Sequence, residues 1–427
     1  MLRFAVTGIG CVLLAASFAA FAELQEVRTG GLLRIRGIYQ GGLIPNSDNF
    51  VAQRTRLHAH AVFSENVSAF IEFDAYNAWG EDFRSDYLAG LDRRPADGNG
   101  VNVYQAYVNI EEIAGTPLHL RLGRQEIVLG DGWLIGNNED KLAFTGLSFD
   151  AAHLTYVTEK VTAGALYARL AQGPPMGAEG SVDLYSAYVN YTPGDPFSLL
   201  GYWIFIHDAF QPAPGFDTTN LHTIGFNASG ETGRFDYTAE AAYQFGEAER
   251  AGFDFDDSNA SFDNWAATAE VGYTFEGAWE PRLSLGADYF GGEDRRDEPG
   301  RASVSFNRLF SNVEYVYLDS TELSNCWLIH AGVEAAPLEK WTISATLYHL
   351  EAVDNGVSGS GDLGWETGLL ATYEYSKDLA FEMAWYHWFR GSGVEDGLLA
   401  VGNGFDTTDG CYADHVDYFY IEAKVTF

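Results

Sequence analysis

The sequence predicts an all-β chain, a single transmembrane antiparallel β-barrel of about eighteen strands with short turns at one rim and long loops at the other. Three observations lead there: a clean two-residue alternation in the last stretch of the chain, the recurrence of such segments along its length, and a regular segregation of short from long connections.

The last stretch, Asp414 to Phe427, is the clearest. Every second residue back from the end gives Phe427, Val425, Ala423, Ile421 and Phe419 on one face, against Thr426, Lys424, Glu422, Tyr420 and Tyr418 on the other. A strand of about ten residues, apolar on one face and polar on the other, suits a wall with lipid outside and water or polar side chains inside. At the other end, MLRFAVTGIGCVLLAASFAAFA reads as a secretory signal peptide, residues 1–22, with cleavage expected after Ala22. The barrel is then expected over residues 23–427.

Alternating segments bounded by turn residues fall at 31–40, 51–63, 67–79, 102–112, 118–128, 146–158, 161–171, 182–192 and 198–208. They continue at 219–229, 234–245, 262–275, 281–291, 325–336, 341–352, 362–375, 379–390 and 414–427. Facing is consistent along them: Phe235, Tyr237, Ala239, Ala241, Tyr243 and Phe245 share one side of their segment, and Asp236, Thr238, Glu240 and Gln244 share the other.

Connections alternate short and long. Ser64–Asn66, Ala114–Pro117, Glu159–Lys160, Gly230–Gly233, Pro337–Lys340 and Ser376–Asp378 are short, whereas 80–101, 129–145, 246–261, 292–324 and 391–413 are long. Short periplasmic turns and longer external loops are the habit of outer-membrane barrels, so both termini are expected to be periplasmic. Trp341, Tyr375 and Phe427, beside the short turns, are then expected to form an interfacial girdle. A terminal strand ending in Phe427 also resembles the signature of bacterial outer-membrane barrels, which implies the barrel assembly machinery, outer-membrane lipid and lipopolysaccharide as partners.

Composition excludes several classes. No segment after residue 22 supplies the run of about twenty apolar residues of a membrane helix. A net charge of -35 and a pI near 4.4 disfavour nucleic acid, whose binding needs clustered Lys and Arg. No zinc-protease helix motif, P-loop or nucleophile elbow occurs.

Alternation also sorts the charges. Arg34 and Arg36, then Arg54, Arg56, His58 and His60, lie opposite apolar residues and are expected to line the pore, with His119, Arg121 and, beside Tyr167, Arg169. The later strands contribute an acidic set: Glu240, Glu270, Asp288, Glu334, Glu366, Glu382 and Glu422. Two readings follow. A basic arc facing an acidic arc would set a transverse field that orients charged or hydroxyl-rich solutes; alternatively, lumen charges simply pair with one another.

The run from Leu118 to Val157 resembles the alginate-export family of outer-membrane barrels, in which a Gly-Arg-Gln strand end is followed by a Gly-rich external turn, a large residue, and a Phe-Asp pair opening the returning strand. The matching residues are Gly123, Arg124, Gln125, Gly130, Trp133, Gly136, Phe149 and Asp150. The resemblance implies an eighteen-stranded monomeric channel in which alginate or another polar solute passes an Arg-lined constriction. Against this, an exporter of an acidic polymer calls for a positive lumen, and the chain as a whole is acidic.

Two functions from different classes remain. The first is a channel for polar or anionic solutes such as saccharides; the second is an outer-membrane barrel enzyme of the lipid-hydrolase type, or a barrel whose loops bind a partner. Cys326 and Cys411, each at the external end of a late strand, are read either as a loop-clamping disulfide or as small apolar rim residues. No cofactor is expected beyond Ca²⁺ at acidic loop runs such as Asp254, Asp256, Asp257 or Asp406 and Asp409, the alternative being that these are solvated loops.

Overall fold

The structure, a computed structural model, describes residues 24–42, 47–79, 100–139, 144–172, 180–194, 196–209, 218–248, 261–292, 303–313, 323–355, 359–395, 398–399 and 413–427. The signal-peptide segment, Cys411 and the acidic loop runs lie outside them.

Eighteen long strands close into one antiparallel barrel. In order they are β1 (Glu26–Gly41), β2 (Asp48–Ser64), β3 (Val67–Ala78), β4 (Asn102–Ile110), β5 (Leu118–Gln125), β6 (Phe149–Val157), β7 (Val161–Gln172), β8 (Ser181–Gly194) and β9 (Phe197–Asp208). There follow β10 (Thr219–Thr232), β11 (Phe235–Glu247), β12 (Ser261–Thr274), β13 (Arg282–Phe290), the two-residue β14 (Ser303–Val304), β15 (Cys326–Leu338), β16 (Trp341–Ala352), β17 (Asp362–Glu374) and β18 (Leu379–Arg390). The two-residue β19 (Val394–Glu395) and β20 (Leu398–Leu399) pair with each other, and β21 (His415–Thr426) completes the wall. Each expected segment overlaps one long strand.

Closure runs through the ends of the chain. β1 pairs with β2 on one side and with β21 on the other, so that Leu33 faces Val425 and Arg36 faces Glu422. The backbone of Phe427 is held by Gly31 in both directions, at 2.8 and 3.1 Å. A closed wall leaves no unpaired strand edge, which is what allows a sheet to sit in lipid. The outward face carries large exposed apolar side chains such as Leu57, Val271, Ile329, Trp365 and Ile421. Near the short turns, Trp341 stacks on Tyr373 at 4.8 Å, with Tyr375 and Phe427 exposed beside them.

Two of the long connections do not stay outside. From the end of β5 the chain turns into the barrel, and Trp133, Leu134 and Ile135 become almost fully buried there. The segment around Phe306 to Phe310 enters from the other side, and the two run together: Gly136 N bonds Phe310 O, Phe310 N bonds Leu134 O, and Asn312 N bonds Gly132 O. A Cβ on Gly136 would lie 2.2 Å from that of Asn312, so only glycine lets the segments approach this closely. Together with the inward residues Leu184, Ile204, Phe290, Leu328, Leu350 and Trp388 they make one hydrophobic core inside the barrel. The sequence reading placed 129–145 and 292–324 as external loops; their described parts are instead interior packing.

That interior core also corrects one facing assignment. Leu166 and Ala168 of β7 point inward, where Ala168 meets Leu184 in register and both are fully buried. Tyr167 and Arg169 therefore lie on the outer face, where Arg169 Nε bonds Asp183 Oδ1 at 2.6 Å and Tyr167 contacts the exposed Tyr185. Apolar does not mean outward where the lumen itself is apolar, which is why alternation alone puts Arg169 inside. Cys326 opens β15 fully buried beside this core.

Candidate functional site: the charged wall of the lumen

The polar part of the interior is built on β21, β1, β2 and β3. A period of two brings Arg34 and Arg36, and then Arg54 and Arg56, onto the inward face, and register sets Arg34 opposite Arg54. All four are buried.

Each is held by a carboxylate on a neighbouring element. Arg34 grips Glu422 with two bonds, Nε to Oε1 at 2.9 Å and Nη2 to Oε2 at 3.1 Å, while Arg36 Nε reaches Oε2 at 2.7 Å. Asp74 Oδ2 takes Arg54 Nε at 3.0 Å and Arg56 Nε at 3.1 Å. Glu139, carried on the segment that crosses the barrel, accepts from Arg56 Nη2 at 2.7 Å and from Arg54 Nη1 at 3.3 Å. Aromatic faces complete the packing: Arg56 lies 3.8 Å over Tyr104, Arg36 lies 4.0 Å over Tyr420, and Phe144 covers Arg34 and Arg36. The planar guanidinium makes in-plane hydrogen bonds and face-on stacking compatible at one residue, which an ammonium could not match.

A bulge in β4 helps. Register slips between Glu72 and Phe73, so Tyr104 and Gln105 both turn inward, Tyr104 OH to Glu126 at 2.5 Å and Gln105 Nε2 to Glu72 at 2.9 Å.

The remaining residues singled out from the sequence are dispersed. His58 and His60 flank Phe70 on the inward face nearer the short turns. His119 and Arg121 are inward and half-buried on β5. Glu240 accepts from Tyr202 OH at 2.6 Å and from Asn227 Nδ2 at 3.0 Å, and Glu270 accepts from Arg282 at 2.6 Å. Asp288 is buried 3.4 Å from His330, Glu366 is buried, Glu382 accepts from Tyr420 OH at 2.5 Å, and Glu334 is exposed at the short-turn end of β15. The ladder arginines pair locally: Arg34 and Arg36 meet Glu422, and Arg54 and Arg56 meet Asp74, on adjacent strands, with Glu139 of the inserted segment completing the second clamp. Sequence reasoning missed Asp74, Glu126, Glu139, Tyr104 and Phe144. Asp74 was legible, since it shares the inward parity of Glu72; the loop residues were not.

The strand-end motif is structural. Gly123 has φ of +125° and its Cβ would collide with Ala106 O at 2.2 Å. Arg124 faces outward and grips Asp150, directly opposite on β6, with two bonds of 2.8 Å. Gln125, fully buried, bonds the carbonyls of Gly123 and Ala151 from within. Phe149 points inward onto Phe310 at 5.2 Å. These residues staple β5 to β6 on both faces at the point where the chain leaves the wall for the lumen, and Gly130 and Trp133 belong to the inserted segment.

Comparison with known proteins places this architecture. A family profile described as Alginate export matches residues 41–400. Among solved structures the fold is similar to OccK8 (OprE) of Pseudomonas aeruginosa, with a TM-score of 0.60, 12% identity, and coverage of 95% of this chain and 98% of that one. It is also similar to OpdQ of the same organism, with a TM-score of 0.59, 11% identity and coverage of 95% and 99%. A third is OpdK of P. aeruginosa, solved with vanillate, with a TM-score of 0.58, 11% identity and coverage of 93% and 98%. No curated protein matches the chain by sequence.

Proposed function

The chain belongs to the alginate export family of outer-membrane barrels, and we propose that it is a non-enzymatic channel that passes polar or anionic solutes, saccharides or their acidic forms, along the charged wall. The observation that carries the reading is the ladder of Arg34, Arg36, Arg54 and Arg56, clamped by Glu422, Asp74 and Glu139. Clamped guanidiniums keep fixed positions just beneath the lumen surface, Arg36 and Arg54 wholly buried, so a passing solute meets the field of preorganised charges and little reorganisation is needed. The apolar core around Trp133, Phe290 and Phe306 on the other side of the lumen carries no such ladder of paired arginines among the described residues, and in this reading solute keeps to the β21–β5 side.

In this reading the short turns and both termini are periplasmic, the long loops face outward, and the outer face meets lipid and lipopolysaccharide after insertion by the barrel assembly machinery. Single-channel recording in planar bilayers tests it. The wild-type protein is expected to conduct, and Arg56→Gln is expected to move the reversal potential towards cations at low salt, where screening is weakest. A barrel that carries no current sinks the channel; a conducting one whose reversal potential ignores Arg56→Gln removes the ladder from selectivity.

A further inference from the structure

Arg121 differs from the arginines of the ladder. It lies on the inward face of β5, half-buried, its guanidinium 4.5 Å over the ring of Tyr107, and among the described residues it makes no ion pair. Register sets Asn109 of β4 on one side of it and His153 of β6 on the other, while His119 faces Thr155 one step closer to the short turns. These residues, with Glu111, line a cleft of about 250 Å³ in the wall. Glu111 is engaged by Asn109 Nδ2 at 2.9 Å, and His153 Nε2 is fixed 3.0 Å from Tyr188 OH. Tyr188 can lie across the sheet to reach it because residue 164 is glycine, whose Cβ position the Tyr188 ring would otherwise occupy at 2.3 Å.

We propose that this cleft is a docking site for the oxyanion of a solute about the size of one sugar ring. A guanidinium in a half-buried setting, with no carboxylate of its own, presents a forked set of donors that match a carboxylate or phosphate. The amide, hydroxyl and imidazole groups around it add donors from both flanking strands, and the volume exceeds what a bare anion fills. On the orientation proposed above, the site lies on the periplasmic half of the lumen, separate from the ladder. It rests on the channel reading only for its place along a path, not for the binding itself.

Ligand-observed NMR on the detergent-solubilised full barrel tests it, with sodium glucuronate as probe and glucose as the neutral control. Glucuronate is expected to bind and glucose not to, and Arg121→Gln is expected to weaken glucuronate about tenfold, the size of one lost charge-assisted pair. Arg121→Lys, which keeps the charge but loses the fork, should fall between. Heat-modifiable gel mobility checks that each variant is folded. Competition with inorganic phosphate and with acetate separates the two oxyanion sources: stronger displacement by phosphate assigns a phosphorylated solute, by acetate a carboxylated one. Equal affinity in Arg121→Gln, or no displacement by either anion, overturns the site. Conductance is read separately, so a barrel that binds glucuronate and passes no current leaves the site standing and removes the channel.

Discussion

The two walls of the lumen are made by the same alternating strands and end up with opposite chemistry. On β21 through β3 the inward residues include four buried arginines, each ion-paired with a carboxylate, beside a small cluster of Ile38, Ala52, Tyr418 and Tyr420. On β8 through β18 many are Leu, Ile, Phe and Trp, sealed by the inserted segments around Trp133 and Phe306. A barrel interior is therefore not one solvent. Alternation tells which residues share a face, whereas whether that face meets water depends on where the loops go.

The largest effect is expected on the charged wall. Replacing Glu422 by Ala strips Arg34 of its two-bond partner and removes one acceptor from Arg36 at the seam where β1 meets β21. Leaving a buried charge uncompensated costs about 3 to 5 kcal/mol, and the opposing Glu382 cannot compensate without giving up its bond to Tyr420 OH. Urea unfolding in lipid vesicles measures this. A loss below about 1 kcal/mol, the range of solvent-exposed pairs, would mean that water reaches the seam and that the wall is less closed than its burial says.

A second substitution probes the apolar wall. Leu134 is 2% exposed, inside the barrel, on a segment joined to the rest by backbone bonds to Phe310. If that region is packed as a protein core, Leu134→Ala costs about 2 to 4 kcal/mol through lost transfer energy and the cavity left behind. If it is a loosely hydrated loop, the same unfolding experiment shows almost no change, and the contrast between the walls collapses.

How much of this was legible follows from the same contrast. Eighteen strands and their faces could be read because the period of two is imposed by backbone geometry and needs no knowledge of the partner. On the charged wall Arg34, Arg36, Arg54, Arg56 and Glu422 lie buried on the inward face. Their pairing was out of reach: Arg34 and Glu422 stand 388 residues apart, and only closure brings them together. β7 shows the failure. Leu166 and Ala168 read as lipid-facing because they are apolar, and alternation alone put Arg169 in the lumen. A signal was present, since the run Ile127, Leu129, Trp133, Leu134, Ile135 is too apolar for a solvated loop and has to be buried somewhere. Strands apolar on both faces, such as the β9 run Leu199, Leu200, Trp203, Ile204, Phe205, pointed to the same place.

The smallest effect is expected from the same type of pair placed on neither wall. Arg124 and Asp150 form a geometrically good bidentate bridge, with two bonds of 2.8 Å, yet they lie on the outer face with side chains 43% and 54% exposed. Solvent screening leaves such a bridge about 0 to 1 kcal/mol, against several for Glu422 in the lumen. Arg124 also donates to Val103 O at 3.2 Å, which ties β4 to the same corner, so Arg124→Ala should register near the upper end of that range. The register of β5 on β6 is set independently by Gln125 from inside, and the barrel should keep its heat-modifiable mobility and its conductance. A loss of 3 kcal/mol or more in Arg124→Ala would mean that exposure in the bare barrel misstates the surroundings of this corner and that lipid head groups bury it. The outer-face corner would then hold the barrel together as strongly as the charged wall does.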